Sequence, residues 1–295
     1  ASAAVTGCHE HASISVMAAK DIDEQRETER AEWAARGAAW DRWADQQARL
    51  ADRLNQPLIA GAGIAPGQHV LDLASGAGEP AISIAKAVGD SGSVTATDLV
   101  PEMLAGARRR AAGIGNMRFE IADMTALPFP DARFDRVTCR FGLMFPPEPV
   151  RALREALRVL KRGGRAAFMV WGPLADNTNF VVIDRVASRL LGRSFEERPI
   201  SPLRLAETGI VERLMREAGF AAAEETELRF SPKVDAGLPF WRAAVDMMLG
   251  HIVDSLGTEK REAIDQAVKQ EFAAYLRDGS YHLEMHARLA IGQKA

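Results

Sequence analysis

Cysteine is scarce in this chain: only two occur among 295 residues, Cys8 and Cys139, and they lie far apart. Two cysteines are too few for a disulfide framework, and their separation gives no metal-ligand pair spacing. The His, Cys and Asp residues form no group with the spacing of a metal site, so we expect no bound metal. We expect the chain to work in a reducing cytoplasm, since disulfides persist in oxidising compartments.

Long apolar runs and an excess of one charge are also missing. No apolar stretch approaches the ~20 residues that cross a bilayer, so we expect no stable membrane insertion. The formal net charge of −3 gives no overall attraction to nucleic acid. What the chain does contain, 47% apolar and 26% charged residues, is ordinary for a globular protein with a substantial core.

The N-terminal part divides into two segments. We predict a disordered tail over residues 1–20 and a helical segment over residues 21–65. Within residues 26–55, one helical face carries apolar and aromatic residues at steps of three, four and seven: Trp33, Trp40, Trp43, Gln47, Leu50 and Leu54. Such a face packs on the main domain in most proteins. The alternative is that Trp40 or Trp43 encloses a substrate, because their rings supply large apolar area.

From residue 69 onward, short apolar segments alternate with helical ones. We predict strands over residues 70–74, 93–97, 117–121, 134–140 and 165–171, separated by helices over 80–88, 101–112 and 148–160. This alternation is typical of parallel strands joined by right-handed helical crossovers. We therefore assign residues 66–173 to an α/β core.

The pattern is less regular after residue 173. We predict helices over residues 178–218 and 238–278, a strand over 222–230 and a final strand over 281–291. Inserted helices near the carboxyl ends of a sheet often build a substrate pocket. Residues 174–295 are therefore interpreted as the end of the core with helical substrate-cap insertions, at about 174–218 and 238–278.

One segment is the most informative about function. Residues 69–80 read His-Val-Leu-Asp-Leu-Ala-Ser-Gly-Ala-Gly-Glu-Pro, an apolar strand that leads into a glycine turn and then a helix. Gly76 and Gly78 lack a Cβ, so a ligand can approach the backbone closely. The free N–H groups of the following helix would point at that ligand. A strand, a glycine turn and a helix form half of a nucleotide-binding unit.

Three other predicted strand ends carry matching features. Asp98 ends the second strand, where a carboxylate can accept both hydroxyls of a ribose. Asp123 follows the third strand and can accept a hydrogen bond from an exocyclic amine, and Cys139 closes the fourth strand. The carboxyl ends of parallel strands meet at one edge, where open α/β sheets bind their ligands.

Taken alone, several of these residues have a simpler explanation. Asp72 and Asp98 would each suit a turn, Ser75 is typical of turn chemistry, and Met103 and Met124 are typical packing residues. Agreement among four strand ends nevertheless predicts a ligand site.

Together these residues resemble the class I S-adenosylmethionine-dependent methyltransferases, in particular the branch related to ubiquinone and menaquinone methyltransferases. The resemblance covers residues 66–173 and rests on five motifs: Val70-Leu-Asp-Leu-Ala-Ser-Gly-Ala-Gly78, Thr97-Asp98, Ala122-Asp123, Phe141-Gly142 and Leu157-Arg-Val-Leu-Lys-Arg-Gly-Gly164. It implies a Rossmann-like, doubly wound α/β fold with a seven-stranded sheet, an antiparallel last strand, N-terminal helices and a helical cap insertion. Ala74 departs from the family pattern by replacing its first glycine, and Arg162 stands where proline is common.

The resemblance also implies a methyl donor, S-adenosylmethionine, and a site for it. The methionine part would lie at the turn 74–78, the ribose at Asp98 and the adenine at Asp123 and Met124, with the ammonium group on the backbone carbonyl of Cys139. The residues assigned to the donor are Asp72, Ala74, Ser75, Gly76, Gly78, Asp98, Leu99, Met103, Ala122, Asp123, Met124 and Cys139.

Three other functions compete with this one. A dinucleotide oxidoreductase would also use Gly76, Gly78 and Asp98, which fit a loose dinucleotide fingerprint, but Asp72 and Asp123 favour the sulfonium donor. A non-catalytic methyltransferase-fold binding protein stays open on the residues alone. Nucleic-acid methylation is disfavoured by the net charge of −3 and by a fourth strand end without polar groups to grip a base amine.

We expect in-line transfer of the methyl group to a small apolar or aromatic molecule, with C- or O-methylation favoured. The sulfonium is already activated, so the protein mainly aligns the reactants and excludes water. The acceptor would contact an apolar set of side chains, namely Trp40, Trp43, Phe240, Trp241 and Met248.

Two residues are candidates for the chemistry at the acceptor. His251 is the candidate base for a phenol or enol, although a histidine on an apolar helix face is more often a core residue. Arg140 could hold an anionic acceptor or form a salt bridge. His282 and His286 are expected in a polar network on one face of the last strand.

Overall fold

The computed structural model describes residues 19–192, 194 and 201–295. The tail predicted over residues 1–20 lies outside these residues, apart from the start of a helix at Ala19. No helix in the described part of the chain is both long and apolar enough to cross a membrane.

The described residues form ten strands, seven of which make one central sheet. In chain order the ten strands are β1 (His69–Leu73), β2 (Ser93–Asp98), β3 (Met117–Ile121), β4 (Phe134–Arg140), β5 (Leu160–Trp171), β6 (Ala222–Phe230), β7 (Lys233–Asp235), β8 (Leu276–Arg277), β9 (Ser280–His282) and β10 (Met285–Gln293). The order across the sheet is β3-β2-β1-β4-β5-β10-β6. Strands β1 to β5 are parallel, whereas β10 runs antiparallel to β5 and β6. The predicted α/β sheet with an antiparallel last strand is confirmed.

The α-helices of the described residues, in chain order, are α1 (Ala19–Ala62), α2 (Ala81–Val88), α3 (Pro101–Arg110), α4 (Pro149–Val159), α5 (Thr178–Leu191), α6 (Ile210–Ala218), α7 (Phe240–Val253) and α8 (Thr258–Phe272). Strands β3, β4 and β6 begin and end where predicted. Helix α1 fills most of the helical segment predicted over residues 21–65 and begins two residues before it, and β5 begins at Leu160, before the Gly163-Gly164 pair.

Helices cover both faces of the central sheet, because neighbouring strand residues point to opposite faces. Leu71 belongs to a core cluster with α4 and α6. Val70, its neighbour in β1, packs with α2 in a separate cluster. The C-terminal half of α1 buries Leu54 and Leu58 on the same sheet, against β5 and β10.

Helix α6 belongs to this central packing, since Leu214 and Met215 lie in the cluster with α4 and the sheet. The segment 174–218, predicted as a cap insertion, therefore divides into two different parts. Helix α6 covers the main sheet, whereas α5 packs elsewhere.

A second apolar cluster joins α5, α7 and α8 to a small sheet of order β7-β9-β8. The single strand predicted over residues 281–291 is wrong, because the chain passes from β9 in the small sheet to β10 in the large one. Leu283, between them, is buried in the second cluster. The strand is therefore interrupted where Leu283 packs in the second cluster, although the alternating apolar and polar pattern of the sequence continues.

The break separates the two histidines predicted to share a face. His286 is 1% exposed, with Nδ1 2.8 Å from Asp176 and Nε2 2.9 Å from Glu227, so it lies in a charged network as expected. His282 instead pairs with Lys233 of β7 in the small sheet.

Helix α1 connects the central sheet with the second cluster. Beyond its packing on the sheet, it contacts α3 and α7. Asp41 forms an ion pair with Arg109 of α3, and the indole Nε1 of Trp43 donates a 2.8 Å hydrogen bond to Asp246 of α7. The N-terminal half of α1 is thereby held across the carboxyl ends of the strands.

Candidate functional site

A cavity lies at the carboxyl ends of β1 to β4, with α1 forming one wall. Nine of the residues assigned to the donor line it: Ala74, Ser75, Gly76, Asp98, Leu99, Met103, Ala122, Asp123 and Met124. Arg140 and Trp40 line it as well. Side chains from four separate strand ends therefore meet, as expected for the ligand edge of an open α/β sheet.

The glycine turn is fixed to the second strand through Asp98. Its Oδ2 accepts a 2.9 Å hydrogen bond from the Gly76 amide, and its Oδ1 accepts one of 3.0 Å from the Val100 amide. Burial raises the pKa of the Asp98 carboxyl above its ordinary value, whereas these amides act to lower it. An ionised carboxylate has about four acceptor positions, so Asp98, which lines the cavity, can also accept from a ligand hydroxyl.

Gly76 presents bare backbone to the cavity. Its φ is +53°, and a Cβ built there would meet no atom within 4 Å. The space beside it is therefore available to a ligand, and a side chain would occupy that space. Gly78 does not line the cavity: a Cβ there would lie 2.9 Å from Ile82 and 3.3 Å from the Ala107 backbone, so its glycine is needed for packing.

Asp72 lies beneath the turn and does not line the cavity. It is fully buried, and its Oδ1 accepts a 2.6 Å hydrogen bond from the Thr138 hydroxyl. Its Oδ2 has no hydrogen-bond partner within the described residues. Burial raises the pKa of Asp72 to about 7. The backbone carbonyl of Asp72 also accepts hydrogen bonds from Ser75 and Thr97, which anchors the turn.

The Cys139 side chain is also outside the cavity lining. It is fully buried in the core cluster of the sheet, and burial raises the pKa of its thiol far above the ordinary value. A role for its backbone carbonyl stays a prediction.

Asp123 has two distinct sets of contacts. Its Oδ1 accepts hydrogen bonds from the amide and the hydroxyl of Thr125, at 2.7 and 2.8 Å. Its Oδ2 lies 3.2 Å from Nε of Arg26, which reaches it from α1. The carboxylate is thus held firmly on one side and faces the cavity wall of α1 on the other.

Arg140 lies beside the glycine turn and binds neighbouring polar groups. Its guanidinium donates to Oδ1 of Asn55 at 2.6 Å and to the Glu79 carbonyl at 3.2 Å. Asn55 and Ser83 in turn donate to the Glu79 carboxylate, at 2.9 and 2.7 Å. Burial lowers the pKa of Arg140 from its ordinary value, while Glu79 and Asp72 oppose that change. Arg140 was considered either as a holder of an anionic acceptor or as a partner of other protein groups. The structure shows contacts of the second kind.

Sequence reasoning missed Glu79 and Arg110, which both line the cavity. Arg110 donates to the Ala77 carbonyl at 2.7 Å and lies 3.7 Å from Glu79. Arg110 belongs to a run of three arginines, residues 108–110, in the last turn of α3. Basic residues are common at that end of a helix because they interact favourably with its dipole, so the run did not by itself indicate a cavity.

Helix α1 supplies a wall whose residues follow helical spacing: Arg26, Glu29, Trp33, Trp40, Ala44, Gln47 and Ala48. The sequence identified the stripe from residue 33 onward and missed Arg26 and Glu29. The same three- and four-residue steps extend to both, but charged residues at these steps usually lie on a solvated face.

The remaining predicted acceptor contacts are not brought to this cavity. Phe240, Trp241 and Met248 pack in the cluster of α5, α7 and α8, and Trp43 binds Asp246. The apolar face of α7 covers other helices, so the prediction of a substrate surface there is corrected. His251 lies on α7, but its side chain is outside those described.

Comparisons with known proteins agree with this geometry. A family model described as "Methyltransferase domain" matches residues 70–164. The ubiquinone/menaquinone biosynthesis C-methyltransferase UbiE of Shewanella sediminis is 32% identical over 183 residues, which cover 58% of this chain and 73% of that protein. UbiE of Citrobacter koseri is 33% identical over 182 residues, covering 55% and 70%.

Among solved structures, a putative methyltransferase from Bacillus halodurans has the same fold, with a TM-score of 0.52 and 24% identity, over 81% of this chain and 98% of that one. These matches favour methyl transfer over a dinucleotide oxidoreductase, the main competing hypothesis. This chain belongs to the class I S-adenosylmethionine-dependent methyltransferases, and S-adenosylmethionine is its methyl donor.

Proposed function

We propose that this methyltransferase transfers the methyl group to a carbon of a small hydroxylated aromatic molecule, of the reduced quinone type. The observation that carries this proposal is an aromatic wall in the same cavity as the glycine turn. Trp33, Trp40, Phe141 and Phe145 all line the cavity.

The aromatic side chains are held by one another. Trp33 meets Phe145 edge to face with ring centroids 4.8 Å apart, and Trp40 lies 6.0 Å from Trp33. Phe141 stacks on Trp171 at 3.8 Å. Rings fixed in this way present flat apolar surfaces, which suit a planar aromatic ligand.

The donor-side residues and the aromatic side chains line one and the same cavity, between the strand ends and α1. Direct transfer requires the donor and the acceptor to bind side by side. In this proposal the donor takes the part of the cavity at the strand ends, and the acceptor takes the part beside α1.

The names of the relatives support the same acceptor class. Both UbiE proteins are described as C-methyltransferases of ubiquinone and menaquinone biosynthesis. A ring carbon must be electron-rich to attack a methyl group. The reduced dihydroxy form of a quinone meets this need and the oxidised form does not.

The residues around the turn fit the donor. Asp98 would accept the ribose hydroxyls, and the open side of Gly76 gives room for the chain that follows. Arg140 and Glu79 place opposite charges beside the turn, which suits an amino-acid end with one carboxylate and one ammonium group. Asp123 would accept the adenine amine on Oδ2, which it would share with Arg26.

In this proposal, the protein contributes mainly alignment and exclusion of water. The bound donor supplies an activated methyl group on a sulfonium. The aromatic wall would hold the acceptor ring in line with that methyl group, and α1 would limit the entry of water.

The test uses purified full-length enzyme, S-adenosylmethionine and 1,4-dihydroxynaphthalene under anaerobic conditions. We expect formation of S-adenosylhomocysteine together with a ring-methylated naphthalenediol, identified by mass spectrometry and NMR. The oxidised 1,4-naphthoquinone should accept no methyl group. Transfer to the quinone, or to aliphatic amines in preference to the diol, would contradict the proposed acceptor class.

A small-molecule acceptor, rather than a nucleic acid, is part of this proposal. Cytoplasmic location remains a prediction from the low cysteine content.

A further inference from the structure

Two polar groups on α1 are buried in the cavity wall without partners. Glu29 is 6% exposed, and its Oε1 forms no hydrogen bond with the described residues. The same holds for Nε1 of Trp40, which is also buried. Both residues line the cavity. Buried polar groups are almost always hydrogen-bonded, so two unpartnered groups in the wall of one cavity point to bound molecules that complete them.

The surroundings of these two groups are mostly apolar. Trp33, Phe145, Pro146 and Pro147 line the same cavity. A carboxyl group and an indole N–H in an apolar wall select a molecule that is flat, apolar and able to hydrogen-bond at its edge.

The charged groups near Glu29 come from several elements. Arg26 and Glu32 lie on α1, Asp123 follows β3, and Arg204 lies in the segment before α6. Arg204 and Arg26 act to lower the pKa of Glu29, while Glu32 and Asp123 act to raise it. Burial has the largest effect and raises the pKa of Glu29 to about 8.

We propose that Glu29 takes the hydroxyl proton of the methyl acceptor while the indole N–H of Trp40 binds an oxygen of the same molecule. This assignment rests on the hydroxylated aromatic acceptor proposed above. It gives the acceptor base to α1, whereas the sequence suggested His251 on α7.

The reaction begins with proton transfer. The Glu29 carboxylate accepts the O–H proton, and the electron pair that is released reaches the ring carbon. That carbon forms a bond to the methyl group as the bond from methyl to sulfur breaks, and the sulfur keeps the bonding pair as a neutral thioether. The ring carbon then loses its hydrogen as a proton to solvent, and Glu29 returns its proton to the oxygen. One proton is released overall, which matches the loss of the sulfonium charge.

The sign of the pH dependence follows from this role. A base acts only when ionised, so kcat/KM should rise as pH increases through the pKa of Glu29 in the free enzyme. The positive charge of the bound donor favours the carboxylate form. The rise in kcat should therefore occur at lower pH than the rise in kcat/KM.

The first experiment compares Glu29→Gln with wild type on 1,4-dihydroxynaphthalene, between about pH 6 and pH 9. We expect kcat to fall roughly 10²- to 10⁴-fold and the rise in kcat/KM with pH to disappear. Calorimetry should give a dissociation constant for S-adenosylmethionine within about twofold of wild type. The matched control is Glu27→Gln on the same helix, whose carboxylate is exposed and pairs with Arg30, and this variant should behave as wild type.

The second experiment does not require methyl transfer. Tryptophan fluorescence measures the binding of 1-naphthol and of 1-methoxynaphthalene to the enzyme saturated with S-adenosylhomocysteine, at a pH above the pKa of Glu29, where its side chain is a carboxylate. Wild type should prefer the naphthol by roughly tenfold or more, because only the naphthol donates to a carboxylate. Glu29→Met should abolish this preference and leave the binding of the ether unchanged.

The outcomes separate the two proposals. If wild type methylates the diol but Glu29→Gln has wild-type turnover and pH profile, the Glu29 assignment is overturned and the acceptor class stands. If wild type does not methylate the diol but Glu29→Met abolishes the naphthol preference, Glu29 is retained and the acceptor class fails. Equal preference for naphthol in wild type and Glu29→Met would also overturn the assignment.

Discussion

Ala74 and Phe141 hold backbone conformations that side-chain-bearing residues rarely adopt. Their φ angles are +51° and +59°, close to the +53° of Gly76, which has no side chain. A residue with a Cβ in the left-handed region costs roughly 1–2 kcal/mol. Such strain concentrates at functional sites, where the surrounding packing enforces it. Here Ala74 and Phe141 both line the cavity, so the strained backbone shapes the ligand surface.

Asp98 tests the donor side of the site most directly. Asp98→Asn leaves one acceptor oxygen for two amides, those of Gly76 and Val100, and removes an acceptor for a ribose hydroxyl. An unpaired buried amide costs about 1–3 kcal/mol. We expect the dissociation constant for S-adenosylmethionine to rise about 10- to 100-fold, measured by calorimetry.

The control for this variant is Asp90→Asn in the exposed turn between α2 and β2. It should leave donor affinity unchanged. Wild-type donor affinity in a folded Asp98→Asn protein would argue against ribose recognition by Asp98.

Helix α1 both lines the cavity and packs on other elements, and different residues of its apolar stripe do each. Trp33, Trp40 and Gln47 face the cavity, whereas Trp43 binds α7 and Leu54 packs on the sheet. The helix can face several neighbours because it continues past the edge of the sheet. The stripe is therefore divided between packing and cavity lining, and enclosure of a substrate by Trp40 stays a prediction.

Two phenylalanine substitutions separate these tasks. Trp40→Phe keeps an aromatic ring but removes part of the ring area and an N–H that has no partner among the described residues, so we expect a higher KM for the acceptor and little change in stability. Trp43→Phe removes a hydrogen bond to the buried Asp246, so we expect the free energy of unfolding to fall by about 1.5–3 kcal/mol.

Urea denaturation and steady-state kinetics on both variants measure the difference. A large stability loss in Trp40→Phe together with an unchanged KM would mean that Trp40 is structural.

The molecule as a whole holds several acidic groups in its interior. Burial raises the pKa of Asp72 to about 7 and that of Glu29 to about 8. A carboxyl whose pKa is higher in the folded than in the unfolded state contributes stability below its unfolded pKa. That contribution is lost as pH rises through the folded pKa. Stability should therefore decrease between about pH 5 and pH 9.

Urea denaturation of the ligand-free enzyme across this range measures the effect. We expect the free energy of unfolding to fall by at least about 1 kcal/mol, since one pKa unit corresponds to about 1.4 kcal/mol. Glu29→Gln should reduce the decrease, because it removes one of the two carboxyls. Stability that rises from pH 5 to pH 9 would contradict the role of burial in raising the pKa of these groups.

The cluster of α5, α7, α8 and the small sheet has an indirect relation to the site. Its aromatic residues, including Phe240 and Trp241, pack on one another. Through the Trp43–Asp246 hydrogen bond, this cluster supports the helix that forms the cavity wall. We infer that the inserted helices stabilise the position of α1, on the face of that helix that does not line the cavity.

The parallel strands, the glycine turn and the strand-end carboxylates follow from local sequence. The conformations of Gly76 and the position of Asp98 at the end of β2 depend on neighbours within a few residues and on the regular βα alternation. These features can be predicted because parallel strands bring their carboxyl ends together whatever the rest of the chain does.

The acceptor wall was decided by tertiary structure. An apolar stripe such as the one in α7 indicates that a face is buried, but the sequence does not state which element covers it. Glu29 has the sequence appearance of a solvated residue, and only the passage of α1 across the strand ends buries it. Local chemistry thus determined the proposed donor site, whereas contacts between residues distant in the chain determined the cavity wall proposed for the acceptor.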